Sequence, residues 1–304
     1  MAPPSQNHNL RAGFFMVAAL ASFVLNDTCI KLIGTTLPLG EIMAVRGGFS
    51  VTLIAAVCGY QGVLHKAYHA FTPSVLIRSG LDVCSTFLFL ICLLHMPIAN
   101  LTAITQTVPL AVVVLSVTFL KERVGWRRGL AIALGFTGVL FIVRPSPQNV
   151  TFYEMLALGM VIVLAFRDLM TKRIPSHVPT LLIALANSGL VMLGGATLVL
   201  WQGFQVPQLW QVVFLATSSA LLSAGYLLII IAMRLGDLSA TAPFRYVNIL
   251  ITIIIGIVIF AEHPDGFAYV GMLLVILAGL YAAQREAKLR GTKLIHETYT
   301  EYND

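Results

Sequence analysis

Residues 13–34 read GFFMVAALASFVLNDTCIKLIG, an apolar run long enough to cross a bilayer but interrupted near its end by Asn26, Asp27 and Lys31. About twenty apolar residues span the hydrocarbon core as an α-helix. An ionised side chain at the centre of that core costs roughly 2.5–3.5 kcal/mol on insertion scales. A helix with an acid and a base one turn apart therefore needs partners, water or a substrate to meet them.

The rest of the chain has the same character. Of its 304 residues 58% are hydrophobic and 11% charged, against about 25% charged in a typical soluble domain. An integral membrane protein is expected. The net charge of +6 does not point to nucleic acid, because the basic residues sit at the ends of apolar runs and form no patch. The start, MAPPSQNHNLR, is polar, and the run after it is too long for a cleaved signal, so it reads as an uncleaved first span. Cys29, Cys58, Cys84 and Cys92 form no CxxC pair and read as small core residues; no metal or cofactor is expected.

Apolar length then gives ten segments: 13–34, 40–60, 74–94, 98–120, 127–143, 153–171, 179–201, 209–232, 239–261 and 267–284. Turn chemistry separates them, in LPLG at 37–40, HMP at 95–97, RPSPQN at 144–149 and HPDG at 263–266. Counted at alternate ends, Arg11, Lys66, Lys121, Arg123, Arg127, Arg128, Lys172, Arg173, Arg234 and the tail bases fall on one side. Arg144, Glu262 and Asp265 fall on the other. The positive-inside rule puts both termini in the cytoplasm, and an even number of spans agrees by placing them on one side.

The chain also repeats. Shifted by 141 residues, Asp27 falls on Asp168, Lys31 on Lys172, Pro38 on Pro179 and Gly138 on Gly279, and with one residue of slippage Glu122 falls on Glu262. Duplication of a five-helix unit is expected, in opposite orientations because five is odd. Inverted repeats of this kind mark secondary transporters, with substrate bound near mid-membrane at the repeat interface. The domains expected are a cytoplasmic N-terminus (1–12), a first repeat (13–144), a second repeat (152–285) and a cytoplasmic tail (286–304).

Those spans and repeats, the NDxxxK pattern of Asn26, Asp27 and Lys31, GEIMAVRG at 40–47 and the FAEHP that closes the ninth span resemble the EamA-domain family of the drug/metabolite transporter superfamily. The resemblance covers residues 11–286. It implies an all-α fold of ten transmembrane helices in two inverted repeats, multi-pass in the cell inner (plasma) membrane. It also implies a central cavity lined by helices one to four and six to nine. The run NDTCIKLIGTTLPLGEIMAVRGGFS further resembles bacterial members that take up S-adenosylmethionine, while related sequences handle amino acids and organic anions.

The intramembrane polar residues are the site candidates. Asp27 and Lys31 are i,i+4 on one helical face, acid first, the order that pairs favourably; Asp168 and Lys172 repeat the pattern. Inverted symmetry puts the two pairs near opposite mouths of one cavity, as alternate gates or as locally neutralised helix ends. Arg46, in MAVRGGFS, has glycines beside it and no acid at i±3 or i±4. Its guanidinium suits a carboxylate, or else bridges to Asp27. Arg245, with Tyr246 and Asn248 after it, is the ninth-span equivalent, with Asp168 as its alternative bridge. Arg167 either joins a site or snorkels to the interface. Asn26, Gln106, Asn187 and Tyr226 offer hydrogen bonds, and Phe244 and Tyr246 offer stacking, although polar groups also join membrane helices routinely. Asp82 is expected to be neutralised by Arg78 one turn away.

Within the membrane Lys31, Arg46, Arg167 and Arg245 stand against Asp27, Asp82 and Asp168, leaving one base for a substrate. The expected function is secondary active transport, by alternating access, of a small carboxylate-bearing metabolite, zwitterionic or anionic, such as an amino acid derivative or S-adenosylmethionine. Export of amino acids or drug-like compounds is the alternative; a channel or receptor is the alternative from another class. Proton or counter-substrate coupling, and a monomer or homodimer in the bilayer, stay open. No HExxH, GxSxG or DDxxD is present and the histidines lie at termini, loops or helix ends, so no enzyme is expected.

Overall fold

The structure is a computed structural model that describes residues 6–120, 126–143, 152–171, 173–175, 177–235, 242–282 and 284. The described elements are helical. They are α1 (Gln6–Ile33), α2 (Leu39–Tyr60), α3 (Pro73–His95), α4 (Ile98–Thr105), α5 (Val108–Leu120), α6 (Trp126–Val143), α7 (Phe152–Thr171), α8 (Thr180–Gln202), α9 (Leu209–Leu235), α10 (Val247–Phe260) and α11 (Gly266–Ala282). Two 3₁₀ turns, Leu64–Phe71 and Ala242–Tyr246, precede α3 and α10. Six spans are long and apolar enough to cross a membrane: α1, α2, α3, α4 with α5, α8 and α9. The helices of α6, α10 and α11 are apolar but shorter. In α7, Glu154, Arg167 and Asp168 dilute an otherwise apolar 20-residue helix.

Two spans expected to be continuous are broken. The fourth stops at Thr105 and restarts at Val108, across a turn at Gln106 and Thr107. Pro109 explains it: a proline inside a helix lacks the N–H and its ring meets the carbonyl four residues back, here that of Thr105. Thr107 fills the gap, its amide and hydroxyl both donating to the Ile104 carbonyl at 3.1 and 2.6 Å. The ninth span opens as the 3₁₀ turn APFRY and becomes α-helical at Val247. The two breaks touch, because Gln106 Nε2 donates to the Arg245 carbonyl at 2.8 Å.

Packing pairs α1 with α9, α2 with α8 and α3 with α7; α2 also meets α9, and α3 meets α8. Around this centre α5 lies on α7, α10 on α1 and α4 on α10. The largest apolar core runs from Ile30 and Met43 through Leu93, Leu101 and Ile104 to Met160, all buried. Exposed apolar side chains such as Leu200, Leu209 and Val258 face outward, as a hydrocarbon solvent favours.

Small residues set the closest crossings, the expected device of membrane helices. A Cβ on Gly47 of α2 would stand 2.7 Å from the Met192 Cα of α8, and one on Gly195 of α8 would stand 2.7 Å from the Met43 carbonyl carbon. Gly138 of α6 and Gly271 of α11 face each other's carbonyls in the same way, at 2.7 and 2.5 Å. The glycine-rich fifth and tenth spans are thus packing surfaces.

Candidate functional site

Arg46 is held by its backbone. Gly47, next in sequence, presses α2 onto α8, and Ser219 of α9 donates to the Arg46 carbonyl at 3.1 Å. The guanidinium is thereby aimed from a fixed point, half-buried, into the middle of the bundle. It lies within electrostatic reach of Asp27 on α1, Tyr226 on α9 and Asp82 on α3. The expected Arg46–Asp27 bridge is not closed: among the described residues neither group has an ion-pair partner. The Asp27 carboxylate accepts from Asn26 Nδ2 at 2.9 Å. Asn26 itself is 2% exposed, and its Oδ1 is buried with no hydrogen-bond partner in the structure.

Tyr226 borders the same space. The residue is 57% exposed, and its ring meets Phe23 of α1 edge-on at 5.3 Å. Asp82, Arg167 and Arg46 are all within its electrostatic reach.

The far side of the cluster is tightly bonded. Arg167 of α7 reaches Asp82 of α3 at 2.7 Å and Asp168 at 2.7 Å. Asn187 Nδ2 of α8 donates to the other Asp82 oxygen. Arg167 does not snorkel, then; it joins α7 to α3 through Asp82, and Asn187 brings in α8. Asp82 is also not neutralised by Arg78, whose Nε donates to Thr171 Oγ1 at 3.2 Å. In the sequence Arg78 looks like the partner because it is one turn away, but helix packing supplies Arg167 from 85 residues off.

Lys31 corrects a second pairing. Its Nζ leaves Asp27 and contacts Glu262 Oε1 at 2.5 Å and the Met96 carbonyl at 2.6 Å, with the Phe260 ring 5.1 Å away. The second Glu262 oxygen accepts the Ile98 amide at 2.9 Å. Ala261 makes this reach possible by adopting the left-handed region, φ 51° and ψ 30°, and sending the Glu262 amide back to the Gly256 carbonyl at 2.9 Å. A residue other than glycine pays about 1–2 kcal/mol for that conformation. In the sequence Glu262 stood out as part of the FAEHP motif and as the repeat partner of Glu122, which lies outside the described residues, but not as the partner of Lys31.

The remaining candidates scatter. Arg245 is exposed and enters through its carbonyl, held by Gln106. Tyr246 turns its hydroxyl toward Gly279 of α11, where no side chain larger than hydrogen fits. Phe244 lies on Gly13 of α1. Asn248 keeps a buried Oδ1 without a partner in the structure. Lys172 lies outside the described residues.

A multi-helix bundle with charged side chains inside and apolar ones outside is the architecture of a polytopic membrane protein. The chain belongs to the EamA-like transporter family, whose profile matches it twice, over residues 10–144 and 151–282. It is therefore a multi-pass protein of the inner (plasma) membrane. It is similar to an S-adenosylmethionine uptake transporter of Rickettsia bellii, with 24% identity over 95% of this chain and 98% of that one. A riboflavin transporter of Vibrio cholerae is 23% identical over 93% of this chain and 96% of its own. A solved crystal structure shares the fold at a TM-score of 0.62 and 15% identity, covering 93% of this chain and 99% of that chain.

Proposed function

We propose that the protein is a secondary active transporter that moves a small carboxylate-bearing metabolite by alternating access, and that the substrate bridges Arg46 and Asp27. The carrying observation is the open pair: two opposite charges on α1 and α2, helices that both pack on α9, within electrostatic reach and not in contact. Collapsed together they would be a structural bridge. Held apart, they suit a zwitterion whose carboxylate lies on the Arg46 fork and whose cationic group lies on Asp27 and the unpartnered Asn26 oxygen. The charge balance also changes. Glu262 takes Lys31, Arg245 stands outside the cluster, and the interior keeps Arg46 and Arg167 against Asp27, Asp82 and Asp168. That favours a zwitterion over a simple anion. Amino acid derivatives of the S-adenosylmethionine type, which the Rickettsia relative is named for, meet the requirement.

The two-repeat reading draws support from three features. The family profile matches each half once. The packing pairs exchange when the halves are swapped: α1 on α9 becomes α7 on α3, α2 on α9 becomes α8 on α3, and α2 on α8 maps onto itself. The breaks at Gln106 and before Val247 fall at matching places in the two halves, as in transporters whose interrupted helices border the substrate. Both termini are then cytoplasmic, and proton or counter-substrate coupling drives accumulation.

Thermal unfolding of detergent-purified wild type and Arg46→Gln tests the site, with amino acids, S-adenosylmethionine, organic acids and polyamines as ligands. A ligand at 100 times its Kd stabilises by about 2.7 kcal/mol. Zwitterions should stabilise wild type and not the variant. Equal stabilisation of both proteins would remove Arg46 from the site.

A further inference from the structure

We infer that Glu262, with Lys31, is a positioning pair of the transport cycle: a latch across the mouth at the C-terminal end of α1, which Asp27 opens by competing for Lys31. The proposal rests on the reading above that Asp27 holds the cationic group of the substrate.

The latch ties three parts of the fold at one point. Lys31 comes from α1, the Met96 carbonyl and Ile98 amide from the α3–α4 turn, and Glu262 from the end of α10. The side chains of Lys31 and Glu262 are 11% and 17% exposed, so the knot is roofed by protein. Helix ends and turns nearby are joined too, through Gln211 to Thr36 at 3.0 Å, Gln202 to the Gly40 amide at 2.9 Å and Glu41 to the Gln205 amide. Asp27 lies one turn deeper on the face that Lys31 shares. The left-handed backbone at Ala261, the C-cap of α10, carries Glu262 to this point, and strain of that kind concentrates at functional positions.

A choice of partner follows. Lys31 has two acids within its range, Glu262 across the mouth and Asp27 on its own helix. When the mouth opens, Glu262 moves off and Asp27 receives the ammonium of Lys31. A cationic substrate group on Asp27 displaces that ammonium and returns it to Glu262. The loaded carrier thus closes this mouth, whereas the empty one is free to leave it open.

Electron–electron distance measurement between spin labels at Thr35 and His263, both exposed on this rim, tests the latch in lipid nanodiscs without ligand. Glu262→Gln should add a longer distance population, and Glu262→Asp, which keeps the charge on a shorter stem, should add less of it. Asp27→Asn should not lower the closed fraction. A Glu262→Gln distribution identical to wild type, or an Asp27→Asn distribution that opens, overturns the proposal. These outcomes are independent of ligand, whereas failure of the Arg46 site shows in the thermal-unfolding panel.

Discussion

Arg167 stands 2.7 Å from Asp82 on another helix and 2.7 Å from Asp168 beside it, so one guanidinium makes two contacts of different worth. The Asp82 side chain is 11% exposed and that of Asp168 is 41% exposed. Breaking a buried pair by removing one partner costs about 3–5 kcal/mol, and without Asp82 the Arg167 guanidinium keeps only the more exposed Asp168. An exposed pair is worth about 0–1 kcal/mol. Asp82→Ala should therefore destabilise the protein by several times as much as Asp168→Ala in detergent unfolding. Comparable losses would mean that the Asp82 contact is as well solvated as the other.

Pro109 offers a second test, because the break it causes sits where Gln106 meets Arg245. Proline in a helix interior costs about 3 kcal/mol relative to alanine. Pro109→Ala should let α4 and α5 join, raising thermal stability while slowing transport, since the two interrupted spans no longer meet at a bend. Unfolding temperature and initial uptake rate, measured on one preparation, should move in opposite directions. A gain in both would make the break a packing accident.

The spans were legible because twenty-residue apolar runs and turn residues record the bilayer directly. The breaks were less so: Pro109 was in view, but apolar length alone is blind to a kink. Among the site residues, Arg46 and Asp27 announced themselves by the cost of burying charge. The pairings did not follow, because sequence spacing reports neighbours on one helix and the bundle supplies partners from another. Lys31 therefore looked like the partner of Asp27, and Asp82 like that of Arg78, until packing brought Glu262 and Arg167.

The crossing of α2 and α8 provides the last prediction, and it links packing to binding. A methyl on Gly195 would meet the backbone of Met43 and Ala44, neither of which can rotate aside. A methyl on Gly189, nearly two turns earlier on the same helix, would meet nothing within 4 Å. Overpacking costs about 1–3 kcal/mol, whereas replacing glycine by alanine inside an unobstructed helix gains roughly 0.5–1 kcal/mol. Gly195→Ala should destabilise and Gly189→Ala should not. Because Ala44 is two residues from Arg46, pushing α2 away also moves the guanidinium relative to Asp27. Gly195→Ala should then weaken the ligand-induced thermal shift beyond what lost stability explains, while Gly189→Ala leaves that shift at its wild-type size. Equal ligand responses in both variants would show that the position of Arg46 does not depend on this crossing.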